Sequence, residues 1–285
     1  MKLNCICLAL AIFALADVHP LWAQGYTFKV AQCGEYTAYP RGMNNAGTVV
    51  GAAQTIDSIY SFAFVYADGT CQTIGPGADG VSFTGIADNN EVFGIYGAGS
   101  FLFGQGSLEN LPGYPGANFT SYCCLNTSTG LIAGNYLMVG SPLQYGFLYE
   151  NGILTPLPYS YYHYAPSITG MNNKGVVVGT MNALTIYGFT FVDGKISLFQ
   201  YPGATTTTFN GINDDGLVVG TFVRDGAHPG TGNLFTYDLG TGAWTDLDFP
   251  GEYGAVVPVG ITNSGIIAAQ LSPAGAGLLI ATPAN

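Results

Sequence analysis

The sequence predicts an all-β protein, a six-bladed β-propeller of four-stranded antiparallel blades, and three observations predict it. A segment of about ten residues recurs six times. Each copy is followed by an aromatic run that ends in a tight turn. The last copy lacks a fourth strand, while a spare strand-like segment stands before the first. Beyond the N-terminus, no stretch carries the apolar period of a helix.

The clearest copies are residues 42–51 (GMNNAGTVVG), 170–179 (GMNNKGVVVG) and 211–220 (GINDDGLVVG), with weaker ones at 85–94, 125–134 and 260–268. Repeats starting near 42, 85, 124, 170, 211 and 260 are spaced by about 40 to 49 residues, in the range of propeller blades. Within each copy, Asn44-Asn45, Asn172-Asn173 or Asn213-Asp214-Asp215 followed by glycine reads as the turn from strand A to strand B. Asn and Asp tolerate left-handed backbone and bond their own main chain, and glycine supplies positive φ. Gly51, Gly179 and Gly220 then fit strand positions where another group comes too close for a side chain.

Strand C is the aromatic run, as in Phe62-Ala63-Phe64-Val65-Tyr66 before Asp68-Gly69, Phe147-Leu148-Tyr149 before Asn151-Gly152, and Phe189-Thr190-Phe191 before Asp193-Gly194. Asp-Gly and Asn-Gly are strong hairpin turns. A short strand D follows and closes with Pro-Gly, as at Tyr114-Pro115-Gly116, Tyr201-Pro202-Gly203 and Phe249-Pro250-Gly251. At the end of the chain, residues 277–281 match strand C and nothing matches D; Tyr26 to Ala31 lie at the offset strand D has elsewhere. That N-terminal strand is expected to complete the last blade, which would remove two unpaired sheet edges. An open solenoid would need polar caps, and an outer-membrane barrel longer strands with a lipid-facing alternation.

The Gly-Ile/Met-Asn-Asn-x-Gly-x-Val-Val-Gly segment, with its aromatic strand and Asp-Gly turn, resembles the HAF repeat of extracellular bacterial proteins, over about residues 40 to 281. The His-Ala-Phe that names the repeat is here Ser61-Phe62-Ala63-Phe64 or Tyr187-Gly188-Phe189, so no role of that histidine carries over. The resemblance implies secretion and a repeat fold, and no defined reaction.

Met1-Lys2, an apolar run to Ala16 and a small-residue region ending near Ala23-Gln24 have the form of a secretory signal peptide. Residues 1–24 are read as that signal and 25–285 as one propeller domain, secreted to the extracellular space or periplasm. The apolar run spans about a dozen residues, short of the roughly 18 that cross a bilayer, so no transmembrane segment is expected. Four cysteines remain, Cys33, Cys71, Cys123 and Cys124, with three possible pairings. They do not recur from repeat to repeat, and read as local staples or free buried thiols. Without CxxC pairs or clustered histidines, neither a metal nor a cofactor is expected.

The 285 residues are 48% apolar and 8% charged, with a net charge of -11, a composition that excludes disorder and leaves no basic patch for nucleic acid. Function is expected on the face where the B-to-C and D-to-A connections emerge, because these vary while the A-to-B and C-to-D turns repeat. On it lie Arg224, Asp225 and His228, where a neutral histidine beside a carboxylate could act as a base. Tyr161, Tyr162 and His163 form the most aromatic loop, suited to stacking on sugars or contacting protein. Arg41, Asp57, Tyr60, Glu252 and Tyr253 share the face. A monomeric binding scaffold for a glycan or protein partner is favoured. A propeller lyase or glycoside hydrolase, or a structural envelope component, is the alternative. Scarce charge decides between them, since few groups remain from which to build an active site; no catalytic residue is assigned.

Overall fold

A computed structural model describes residues 25–55, 61–74, 80–158, 164–224, 233–247, 255–272 and 277–284. Among these residues the chain is all β, with 24 strands and no helix. In chain order they are β1 (Tyr26–Ala31); β2 to β5 (Thr37–Met43, Val49–Gln54, Ser61–Ala67, Thr70–Ile74); and β6 to β9 (Val81–Ile86, Val92–Tyr96, Gly99–Gly104, Ser107–Leu111). Next come β10 to β13 (Ala117–Leu125, Ile132–Met138, Gln144–Glu150, Ile153–Pro156) and β14 to β17 (Ala165–Met171, Val177–Asn182, Ile186–Val192, Lys195–Phe199). The last are β18 to β21 (Ala204–Ile212, Leu217–Arg224, Asn233–Asp238, Trp244–Leu247) and β22 to β24 (Ala255–Ile261, Ile267–Ser272, Leu278–Pro283).

Each group of four is an antiparallel meander, and a single parallel bridge, Ile186 to Thr206, joins the fourth unit to the fifth. β1 pairs antiparallel with β24, from Tyr26 opposite Pro283 to Ala31 opposite Leu278, and so makes the last group four-stranded. The first strand of each unit touches the first strands of the units before and after it, β22 touching β2. The arrangement is propeller-like.

The turns follow from local chemistry. Asp68-Gly69, Asn151-Gly152 and Asp193-Gly194 all have positive φ at both residues, as a two-residue hairpin of matching twist requires. At Tyr114 to Ala117 and Tyr201 to Ala204 the backbone N–H of the alanine donates to the tyrosine carbonyl at 3.0 Å. The Pro-Gly pairs are thus tight connections between units rather than the end of strand D.

The core lies between the sheets. Phe64, Val49 and Ala38 of the first unit pack against Ala268 and Leu278 of the last. Phe93 of the second unit packs with Tyr122, Ile132 and Phe147 of the third. One rule spaces these layers. Gly51, Gly94, Gly134, Gly179 and Gly220 on the second strands face Phe64, Phe101, Phe147, Phe189 and Phe235 on the third. The phenylalanine ring lies where a Cβ would stand, 2.2 Å away at Gly94 and 2.6 Å at Gly179. In the last unit the pair is Ala269 with Leu279, a methyl exchanged for a smaller partner.

Cys33 and Cys71 form a disulfide with Cα atoms 5.0 Å apart, while Cys123 and Cys124 are free. The bridge closes 38 residues and ties the segment between β1 and β2 to β5. Replacing both cysteines with serine is expected to lower stability by about 2–4 kcal/mol, through the added freedom of the unfolded chain. Urea unfolding of the double variant, compared with the oxidised parent, checks this; an unchanged midpoint would refute it.

Candidate functional site

Every first strand is bulged at the same place in its repeat, and β10 and β18 carry a second irregularity near their start. The pairing skips a residue between Pro40 and Gly42, Phe83 and Gly85, Tyr122 and Cys124, Ile168 and Gly170, Phe209 and Gly211, and Pro258 and Gly260. The residues left unpaired are Arg41, Thr84, Cys123, Thr169, Asn210 and Val259. A bulge re-aims its side chain and sharpens strand twist, and here all six line one cavity of about 450 Å3 on the axis where the first strands meet. The glycine after the bulge recurs in five of the six units, while the bulged positions hold Arg, Thr, Cys, Thr, Asn and Val, so a regular scaffold carries a varied lining.

The cavity is a cup. Ile95 and Gln270, past the middle of second strands, and Gln144, at the start of a third, also line it, so it opens on the face from which the B-to-C connections leave. Thr84 Oγ1 donates to the Tyr122 carbonyl and Thr169 Oγ1 to the Phe209 carbonyl, both at 2.6 Å, so two bulged residues also tie neighbouring units. Asn135 holds Ile168 from both sides, donating to its carbonyl at 2.7 Å and accepting its N–H at 2.8 Å. Arg41 is exposed. Among the described residues it forms no ion pair and is the only charged group lining the cup.

Below the cup the channel narrows to a neck of about 80 Å3. Here the first strands pack backbone to backbone. A Cβ on Gly42 would stand 3.0 Å from the Gly85 Cα, one on Gly211 3.0 Å from the Gly260 Cα, and one on Gly85 1.8 Å from the Cys123 carbonyl oxygen.

The A-to-B turns floor the neck. Their first Asn works both ways: Asn44, Asn172 and Asn213 are buried and accept the N–H four residues on, while their amides donate to the next unit, Asn44 to Asn90 Oδ1 at 2.9 Å, Asn172 to the Asn213 carbonyl at 2.9 Å and Asn213 to the Thr262 carbonyl at 3.0 Å. Their second residue does not act locally, and hairpin chemistry gives no hint of what it does instead. The Asn45 N–H donates to Asp88 Oδ1, the Asn173 N–H to Asp214 Oδ1, the Asp214 N–H to Asn263 Oδ1 and the Asn263 N–H to Asn45 Oδ1, each at 2.8 Å. The Thr127 N–H donates to Asn173 Oδ1 at 2.9 Å. Each bond joins one unit to the next.

The free amide nitrogens turn inward. Asn45 Nδ2 and Asn173 Nδ2 each lie 2.7 Å from Asp88 Oδ2 and 3.3 Å from Asp214 Oδ2, and Asn263 Nδ2 lies 3.2 Å from Asp214 Oδ2. Asn45 and Asp214 belong to the first and fifth units, Asn173 and Asp88 to the fourth and second, so these bonds cross the axis. Burial works to raise the Asp214 carboxyl, but N–H donors from Asn173 and Asn263 and the charge of Lys174 outweigh it and hold the group below the usual aspartate range. Among the described residues no three His, Cys, Asp or Glu converge.

Of the residues singled out from sequence, Arg41 lines the cup. Arg224 does not: it ends β19, lies over the rings of Phe222 (4.8 Å) and Tyr201 (5.5 Å), and meets Asp246 at 4.0 Å. The Tyr201 hydroxyl donates to the same carboxylate. Asp57, Tyr60, Tyr161, Tyr162, His163, Asp225, His228, Glu252 and Tyr253 lie outside the described residues, as does the 1–24 signal segment. Of the other five bulged residues only Cys123 was singled out from sequence, and as a cysteine rather than a lining residue; Thr84, Thr169, Asn210 and Val259 each directly precede the glycine that opens the repeated segment.

No protein-family model matches the chain, and no curated protein matches it. Solved structures do. A gluconolactonase from Xanthomonas campestris aligns with a TM-score of 0.57 at 11% identity, over 92% of this chain and 91% of that one. An oligogalacturonate lyase in complex with manganese aligns at 0.53 and 8% identity, over 93% and 99%. A prolyl endopeptidase aligns at 0.51 and 12% identity over 84% of this chain, which spans only 39% of the endopeptidase's length. In the described residues no helix is long and apolar enough to cross a membrane. At these identities the likeness establishes a propeller-like fold and nothing about chemistry.

Proposed function

We propose that the chain is an exported six-bladed propeller of the HAF-repeat type, closed by its N-terminal strand, and that it is a binding scaffold whose ligand sits in the bulge-lined cup. The six four-stranded units, the pairing of β1 with β24 and the contact of β22 with β2 support the ring. The ligand is a glycan bearing a carboxylate. The observation that carries this reading is Arg41, a lone cation in an otherwise uncharged, donor-rich cup. The Thr84 and Thr169 hydroxyl protons are already used, but the amide nitrogen of Asn210, whose Oδ1 accepts from Thr208, has no partner among the described residues and is open to a ligand. A cup that offers N–H groups and one guanidinium suits a partner rich in oxygen acceptors and singly anionic.

The net charge of -11 opposes an anion at long range, but at physiological ionic strength such fields are screened beyond about 8 Å. The local cation therefore decides. A charge-assisted hydrogen bond is worth about 1.5–3 kcal/mol, or roughly 10- to 150-fold in affinity. Calorimetric titration with uronate oligosaccharides and their neutral counterparts is expected to show binding of the acidic set, an Arg41→Ala loss of that size, and partial retention in Arg41→Lys, which keeps the charge without the bidentate fork. Equal binding of neutral and acidic glycans, or indifference to Arg41, would refute the reading.

A further inference from the structure

Cys123 and Cys124 are consecutive in sequence, and both are free. In a regular strand consecutive side chains point to opposite faces. Here both pack on one apolar cluster between the third and fourth units, with Ala133, Ile168 and Val177. The bulge between Tyr122 and Cys124 is the cause, because one extra residue breaks the alternation. Cys123 Sγ donates to the Ala133 carbonyl at 3.6 Å. Cys123 lines both cup and neck, whereas Cys124 lines the neck alone.

We propose that Cys123 and Cys124 form a redox site on the channel, which small-molecule disulfides oxidise to a disulfide between the two neighbouring cysteines. The Cys123 thiolate attacks one sulfur of the oxidant; the S–S bond breaks, and the first small thiol leaves with a proton. The Cys124 sulfur then attacks the Cys123 sulfur of this mixed disulfide, expels the second small thiol and closes the ring. Two hydrogens pass from the protein thiols to the two leaving thiols, so the protein loses the two electrons that the oxidant gains. Position sets the order, since an oxidant entering from the cup meets Cys123 first. The hydrogen bond to Cys123, burial and the neighbouring thiol also raise Cys124 well above the usual cysteine range, which suits it to the second, intramolecular step.

Consecutive Cα atoms are about 3.8 Å apart, whereas disulfides usually span at least about 4.4 Å. The ring is therefore strained and easier to reduce than the Cys33–Cys71 bridge, whose Cα atoms are 5.0 Å apart. The experiment treats the folded full chain with oxidised glutathione, alkylates the remaining thiols and reads the intact mass. The parent is expected to lose two hydrogens and keep no adduct. Cys124→Ser should stop with one glutathione on Cys123, and Cys123→Ser should react at least tenfold more slowly. In mixtures of reduced and oxidised glutathione, the Cys123–Cys124 ring should open while Cys33–Cys71 stays closed. A parent that keeps two alkylatable thiols, or that accumulates a stable mixed disulfide, overturns the proposal. The parent's mass decides even where a serine variant fails to fold.

Discussion

Gly94→Ala is expected to destabilise the protein by about 3 kcal/mol, at the upper end of what overpacking usually costs, and Phe101→Leu in the same chain to return most of that loss. The new methyl would stand 2.2 Å from the ring of Phe101, and the nearest atoms it meets all belong to that ring. Phe101 is itself buried between sheets, so Phe101→Leu alone should cost about 1–2 kcal/mol through the space it leaves. The two changes fill the same space. Their coupling should reach about 3 kcal/mol, at the upper end for residues in contact and well above the few tenths expected of independent sites.

The last unit supports this, because Ala269 faces Leu279 where the other five have glycine facing phenylalanine. The fourth unit provides a contrast: a methyl on Gly179 would also meet the Ser167 carbonyl oxygen at 2.1 Å, so Phe189→Leu should rescue Gly179→Ala less. Urea unfolding of both cycles measures the couplings. Additive effects at Gly94 and Phe101 would mean that the aromatic ring is not what keeps the second strand free of side chains.

Asp214→Asn is expected to cost about 2–4 kcal/mol and to flatten the acid limb of the stability profile. Its carboxylate accepts from the Asn173 N–H and from the side-chain amides of Asn45, Asn173 and Asn263. An asparagine there would turn an NH2 towards one set of these donors, leaving charge-assisted bonds unmade at about 1.5–3 kcal/mol each, and those losses are not additive. The sign of the pH dependence follows from the lowered carboxyl. A group with a folded pKa below its unfolded value of about 3.9 contributes stability above that value and loses it as pH falls through the folded pKa. The parent should therefore lose more stability between pH 6 and about pH 3 than the variant does. Asp238, also lowered by N–H groups of Thr241 and Gly240, contributes equally to both chains and cancels. Parallel acid profiles for parent and variant would refute this role for Asp214.

The features that could be read from the residues alone are local. The all-β class, the antiparallel order of strands within a unit, the Asp-Gly and Asn-Gly hairpins and the crowding at Gly51, Gly179 and Gly220 were legible, because each rests on alternation, positive φ or spacing within one repeat. The pairing of Cys33 with Cys71 was one of three possibilities until β5 was placed beside the segment following β1.

What lines the channel and what floors it emerges only when the units pack. A bulge turns one residue out of the alternating pattern, so periodicity is least informative at Arg41, Thr84, Cys123, Thr169, Asn210 and Val259, the positions that shape the cup. The same holds for Arg41 and Arg224. One faces the cavity, while the other is taken up by Tyr201, Phe222 and Asp246, and their local sequences do not distinguish these fates. Asn45 and Asn263 read as turn residues because each turn is complete by itself. Packing the last unit against the first brings them together across 218 residues of chain, and a bond of that kind exists only after the units have packed.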